Sequence, residues 1–183
     1  TLFPYTTLFR SPQRLVQALP GGGSLFVMPA LDASTAITKL ITFTPANTGT
    51  GRPTIQGDVV VFDAANGKRL CMLDGPTVTA RRTAAVSLLA AQKLAPRLEG
   101  KLLLVGAGGA GSAIAHSLVL AGVSELAIHD PDDQRRQSLI DRLNSLKLGK
   151  VTQGSPNPSG FDVAVNATPI GMKEADPTPI DID

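Results

Sequence analysis

Residues Gly100 to Gly122, GKLLLVGAGGAGSAIAHSLVLAG, constrain the fold of this chain more than any other stretch. An apolar run of strand length enters a glycine-rich turn and leaves as an apolar, alanine-rich run of helical length. Gly106-Ala107-Gly108-Gly109-Ala110-Gly111 fits G-x-G-x-x-G, and its place between strand and helix gives that short pattern its meaning. Gly106 permits a tight turn, Gly108 lets backbone approach a pyrophosphate, and Gly111 lets the helix pack closely on the strand. The helix start would then offer free N–H groups and a positive dipole end to phosphates. The bland alternative is a glycine turn that only packs.

The alternation continues downstream. ELAIHD, the polar helical run DDQRRQSLIDRLNSL, a short strand near KVTQG and the strand FDVAVNAT follow in order. This is the β-α-β pattern of a parallel, doubly wound sheet. Upstream, SLFVMPAL, AITKLITF, GDVVVFDA and RLCMLDG are short apolar or alternating runs between Gly, Pro and Asn turns, and they read as strands. Asn66-Gly67 in AANGK is a tight hairpin signal. TVTARRTAAVSLLAAQKLAP predicts a helix over 77–95, ended by Pro96. The expected class is α/β: a truncated Rossmann-type parallel sheet over 100–183, preceded by a β-rich substrate and dimerisation half over 12–97. Residues 1–11, TLFPYTTLFRS, lack the charged start and apolar core of a signal peptide. They resemble translated adapter sequence, an artefact-like leader set apart from the fold. The stop after PTPIDID reads as the end of a fragment.

Composition excludes several functions. The 183 residues are 43% hydrophobic and 17% charged, with a net charge of +2, which gives no electrostatic ground for a nucleic-acid partner or an anionic membrane. No apolar run reaches the ~18 residues of a membrane span. Cys71 is the only cysteine, so no internal disulfide can form and a cytoplasmic setting is expected. Between Leu70 and Met72 it reads as a buried small hydrophobe. His116 and His129 have no partner pattern; they read as packing or surface residues, and no metal site is expected.

Asp130 ends the second strand of the nucleotide half, about 20 residues past the glycines, where an acid accepts hydrogen bonds from ribose hydroxyls and repels a 2′-phosphate. Arg135 and Arg136 lie a turn later; they would meet a phosphate or, more simply, form a solvated helix face. DVAVNATPIGM is a buried strand that ends in a Thr-Pro-Ile-Gly loop, and loops at the carboxyl ends of parallel strands bind ligands. On GAGGAGSAIA, GVSELAIHD and NATPIGM, this half resembles the nucleotide-binding domain of shikimate dehydrogenases. The resemblance implies a cofactor held by Gly106, Gly108, Gly109, Ala110, Gly111 and Asp130, with Asn166, Thr168, Pro169 and Met172 in a loop beside the nicotinamide. Many members carry an arginine after the second strand. Here that strand ends His129-Asp130, which favours NAD(H) over NADP(H).

The first half lacks that family's N-x-T-x-P-K-type segment. On ITKLITFTPANTGTGRPTIQGDVVVFDAANGKRL and LDGPTVTARRTAAVSLLAAQKLAP it resembles the ornithine cyclodeaminase/μ-crystallin family. The likeness is greatest to its bacterial ketimine reductases, which reduce Δ1-piperideine-2-carboxylate or Δ1-pyrroline-2-carboxylate. The resemblance implies substrate-binding roles for Arg14, Lys39, Thr54 and Arg82. A cyclic imino acid offers a carboxylate and a C=N bond. Arg82 and Arg14 suit the carboxylate, through paired charge-assisted bonds. Thr54 would add one hydrogen bond, and Lys39 would assist proton delivery to the imine nitrogen. Each has a plainer reading: an edge-strand charge for Lys39, a salt-bridged helix face for Arg82, a solvated arginine for Arg14, a turn residue for Thr54.

Together the halves imply an NAD(P)H-dependent oxidoreductase of amino acid metabolism that reduces a ketimine. The alternatives are a shikimate or quinate dehydrogenase, taking a shikimate-like substrate, or an inactive dinucleotide-binding fragment. Two halves of unlike resemblance read as a chimeric fragment. The β-rich half covers a small core, so a homodimer is expected.

Overall fold

The computed structural model describes residues 9–95, 100–171 and 174–181. The backbone divides into two compact units, one running to Thr79 and one from Ala80. The break falls earlier than the 97/100 boundary expected from sequence. Ala91 and Leu88, on the predicted helix, join the apolar core of the parallel sheet.

The first unit is one antiparallel sheet. Its strands are β1 (Phe9–Arg10), β2 (Leu15–Ala18), β3 (Ser24–Asp32), β4 (Thr35–Phe43), β5 (Ile55–Asp63) and β6 (Arg69–Asp74). The order is β1-β3-β4-β5-β6, with β2 also on β3. Phe9 and Arg10, set apart on composition, pair with Asp32 and Leu31 of β3; residues 1–8 lie outside the described residues. The β5–β6 hairpin turns at Asn66-Gly67, with Gly67 at φ 73°, as that dipeptide favours. Cys71 corrects the sequence expectation: it is exposed. It lies on β6, an edge strand exposed along its whole length, and an apolar run does not reveal whether its strand lies at an edge.

Helix α1 (Gly75–Leu94) follows β6 without a loop. The Asp74 carboxylate accepts the Thr77 N–H at 2.7 Å, which caps the helix start. Gly75 is buried; a Cβ there would lie 2.6 Å from the Gly57 carbonyl oxygen and 3.1 Å from Ile41 Cδ1. Only glycine lets the first turn of α1 lie this close to β4 and β5.

The second unit holds β7 (Lys101–Val105), α2 (Gly109–Leu120), β8 (Glu125–His129), α3 (Asp133–Asn144), β9 (Lys150–Gln153) and β10 (Val163–Asn166). All strands are parallel, in the order β10-β7-β8-β9. Leu102 and Leu104 pack with α2 and α3, while Leu103, Val105 and Ala127 face the opposite side with Phe161 and Ile180. Burial on both faces explains why β7 reads as a continuous apolar run. The chain winds one way from β7 to β9 and the other way to β10. The switch point therefore lies at the carboxyl ends of β7 and β10, where ligands bind in such sheets. No described helix is long and apolar enough to cross a membrane.

Candidate functional site

The glycine turn has a packed base and an open rim. Gly106 (φ 106°), Ala107 and Gly111 are buried. A Cβ on Gly106 would meet the Ala167 carbonyl carbon and Thr168 Cγ2 at 2.9 Å, and one on Gly111 would overlap the Gly106 carbonyl oxygen. The turn is thus pressed against the loop that follows β10. At Gly108 and Gly109, by contrast, an added Cβ would meet nothing within 4 Å. Gly108 caps α2 without any side-chain hydrogen bond, so N–H groups of the first turn are left without a helical partner. A helix start left open, uncapped and lined by glycine fits a pyrophosphate.

Asp130 is 4% exposed. One carboxylate oxygen accepts the Ala107 N–H at 2.7 Å and the other accepts the Asp132 N–H at 2.9 Å. The Gly106 N–H donates to the His129 carbonyl at 2.7 Å. The acid at the end of β8 therefore shapes the turn, and its carboxylate retains acceptor capacity beyond these two bonds. Arg135, half exposed, pairs with Asp132 at 3.1 Å and reaches Asp130 at 3.6 Å. Arg136 corrects the solvated-face reading. Its side chain is 11% exposed, pairs with Asp133 at 2.7 Å, and donates to the Asp130 carbonyl at 2.7 Å. The helix folds it back against the β8 end.

The loop after β10 is held by its own side chains. Asn166 Oδ1 accepts from the Thr168 N–H at 2.9 Å and the Thr168 hydroxyl at 2.7 Å, while its amide donates to the Ile170 carbonyl at 3.0 Å. Asn166 and Thr168 thus fix the loop that carries Pro169 against Gly106. Met172 lies outside the described residues.

In the first unit, Lys39 stands on β4, between β3 and β5, which removes the edge-strand explanation for its charge. It is half-buried and registers with Met28 and Val59. Its Nζ donates to the Thr79 hydroxyl at 2.6 Å, and that hydroxyl donates to the Gly75 carbonyl at 2.7 Å. Arg14 lies 5.4 Å from the ring centre of Phe26. Phe26 and Met28 alternate onto one face of β3, so Arg14 is held on the sheet face that carries Lys39. Thr54 is not brought to them. It precedes β5 by one residue, and its carbonyl accepts the Thr44 N–H at 2.8 Å. It sits five residues from Val59, the partner of Lys39, about 16 Å along the strand, and out of phase with that face. Arg82 is exposed in the second unit, two turns inside α1.

Sequence reading missed Thr79. Its signal was a hydroxyl-bearing, β-branched residue in an alanine-rich helix, four residues after a buried glycine.

A family model described as "Ornithine cyclodeaminase/mu-crystallin family" matches residues 5–178. It therefore covers the segment that resembled shikimate dehydrogenases, and one family accounts for both halves. The Δ1-pyrroline-2-carboxylate/Δ1-piperideine-2-carboxylate reductase of Azospirillum brasilense is 42% identical over 163 residues, 86% of this chain and 51% of that protein. Δ1-pyrroline-2-carboxylate reductase 2 of Burkholderia ambifaria is 45% identical over 98 residues, 54% of this chain and 32% of that protein. The chain thus spans about half the length of these curated relatives or less. The Δ1-pyrroline-2-carboxylate reductase of Thermococcus litoralis, solved with NADH and L-proline, shares the fold at a TM-score of 0.78 and 22% identity. That likeness covers 90% of this chain and 53% of the other. With a family model over nearly the whole chain and a relative of 42% identity over most of it, the chain belongs to the ornithine cyclodeaminase/mu-crystallin family.

Proposed function

We propose that this protein reduces a cyclic imino acid with a nicotinamide dinucleotide, NAD(H) in preference to NADP(H). The observation that carries the reading is the open helix start at Gly108–Gly109, in a turn whose Ala107 N–H is held by Asp130 and whose Gly106 lies against the loop after β10. The cofactor, when bound, supplies a hydride for the imine carbon. The N–H groups at Gly109 and Ala110 would hold its phosphates and the spare lone pairs of Asp130 its ribose. Pro169, fixed by Asn166 and Thr168, would bound the nicotinamide.

On the substrate side, Arg14 offers a guanidinium for the carboxylate. Lys39 offers an ammonium that can hydrogen-bond the ring nitrogen and deliver the proton that hydride addition requires. Arg82 is a second candidate for the carboxylate. The 42% identity to a reductase of two such imino acids supports this substrate class. The test is cofactor oxidation with Δ1-piperideine-2-carboxylate or Δ1-pyrroline-2-carboxylate. Turnover, faster with NADH than NADPH, is expected. Turnover of shikimate in their place, or NADH binding without turnover of either imino acid, would overturn the reading.

The protein acts as a homodimer in this proposal. Leu15, Leu31, Leu40 and Met72 alternate onto one face of the antiparallel sheet, and each is 45–58% exposed. A second copy would cover that face. Light scattering should give twice the chain mass, and Leu40→Asp should halve it; a monomeric parent protein would refute this.

A further inference from the structure

Lys39 poses a physical problem, and the Thr79 hydroxyl supplies part of the answer. An ammonium on a flexible four-carbon stem, between Met28 and Val59 on a central strand, is favoured to extend toward water. Here its Nζ is held at 2.6 Å by the Thr79 hydroxyl. That hydroxyl has a single hydrogen, and it goes to the Gly75 carbonyl at 2.7 Å. What it presents to Lys39 is therefore a lone pair, the kind of partner the ammonium N–H donors require. The β-branched side chain has few rotamers in a helix, and the bond to the carbonyl four residues back selects one. The helix turn is fixed as well. Asp74 caps it through Thr77, and Gly75 presses on Gly57 and Ile41. An unbroken series of contacts thus runs from the β5 backbone, through Gly75 and Thr79, to the Lys39 nitrogen.

We infer that Thr79 is a positioning residue for Lys39, setting the place from which the ammonium meets the ring nitrogen of the imino acid. The inference rests on the substrate reading above for its chemistry, but its geometry is independent of it. Hydrogen-bond removal here displaces the proton donor without removing it. The expected signature is a fall in kcat with little change in KM, because a misplaced donor is felt most where the reacting atoms must align.

The experiment uses the whole chain with Thr79→Val, which keeps the shape and removes the hydroxyl, and Thr79→Ser, which restores the hydroxyl without the methyl. Two readouts are taken. The first is the rate at which trinitrobenzenesulfonate labels Lys39 in the cofactor-free protein, followed by peptide mass spectrometry. Thr79→Val should label several-fold faster than the parent protein, and Thr79→Ser should match the parent. The second is turnover of Δ1-piperideine-2-carboxylate: about a tenfold lower kcat is expected for Thr79→Val, with recovery in Thr79→Ser. Equal labelling of all three proteins would overturn the inference. So would a Thr79→Ser protein as impaired as Thr79→Val, since a packing role would produce that pattern. If the parent turns over no imino acid, the substrate reading falls and labelling alone decides for or against Thr79. Should Thr79→Val fail to fold, Thr79→Ala takes its place in the same two measurements with the same opposing outcomes.

Discussion

Replacing Asp130 tests the glycine turn most directly, because the structure assigns its carboxylate two distinct jobs. The Ala107 N–H lies in a residue only 3% exposed, and its acceptor is Asp130 at 2.7 Å. In Asp130→Ala that N–H is orphaned where water enters poorly, at a cost of about 1–3 kcal/mol. The Asp132 N–H, bonded at 2.9 Å nearer the surface, is rehydrated and contributes about 0.5 kcal/mol. The contact to Arg135 is long, and that arginine is half exposed with Asp132 still at hand, so its loss counts for little. Removing a buried charge returns part of its desolvation penalty. The net cost is about 1–3 kcal/mol, a sizeable share of the ~5–15 kcal/mol that holds a typical domain. Asp130→Asn keeps one oxygen for Ala107 and gives up only the outer bond, so it should cost about 1 kcal/mol. Urea unfolding gives the ranking, and hydrogen exchange at the Ala107 amide locates it: protection should fall in Asp130→Ala and persist in Asp130→Asn. Calorimetry with NADH should follow the same order. If Asp130→Ala leaves both urea midpoint and Ala107 protection unchanged, the carboxylate does not hold the turn, and the account of this site fails.

The two kinds of glycine in the turn should separate. Gly109→Ala, at an open helix start, should leave the fold intact or firmer by up to ~1 kcal/mol, while weakening NADH binding by placing a methyl group on the open rim. Gly111→Ala should destabilise the second unit itself, since the methyl would overlap the Gly106 carbonyl; equal urea midpoints for the two variants would refute the distinction. The Asp74 carboxyl is held below the usual carboxylate range by hydrogen bonds from the Thr77 side chain and backbone. A depressed folded value means that the stability it lends is present above the ordinary carboxyl pKa and is lost as pH falls through the lower, folded one. Helical circular dichroism should therefore fall in acid below about pH 4, and Asp74→Ala should flatten that part of the titration; an unchanged acid limb in the variant would contradict the cap.

Much of the fold was legible because period and punctuation are local. β7, β8 and β10 are apolar runs of strand length, α2 and α3 begin at turn residues, and Asn66-Gly67 makes the hairpin its identity demands. The turn at Gly106–Gly111 was legible for the same reason: each glycine answers a steric requirement met within a few residues or at the next strand. What was not legible depends on strand order. Whether Cys71 is buried, whether Lys39 lies at an edge, and whether Thr54 shares a face with Lys39 are all decided by which strands become neighbours. β4 is flanked on both sides and β6 on one, and nothing within either run says so. Arg136 escaped for a related reason. Helical phase places Arg135 outward and Arg136 inward, but only the β8 carboxyl end, at Asp130, gives the inward arginine a partner.

This limit also explains why the two halves resembled different families. A βαβ unit with a glycine turn is shaped by the diphosphate it must admit, and that requirement is common to many dehydrogenases. Similarity there reports the constraint more strongly than the descent. The antiparallel half answers to no shared ligand fragment. Gly57 and Gly75 lie close only because this particular sheet places the start of α1 over β4 and β5, and Thr79 meets Lys39 only as a consequence. Substrate chemistry in this family should accordingly be sought on the face of the antiparallel sheet. Exchange of the Gly106–Gly111 turn for that of another NAD(H) enzyme should leave preference among imino acids unchanged, whereas Lys39→Met should abolish turnover with NADH affinity intact. A turn exchange that altered imino acid preference, or a Lys39→Met protein that lost NADH binding, would show that the two requirements are not separable.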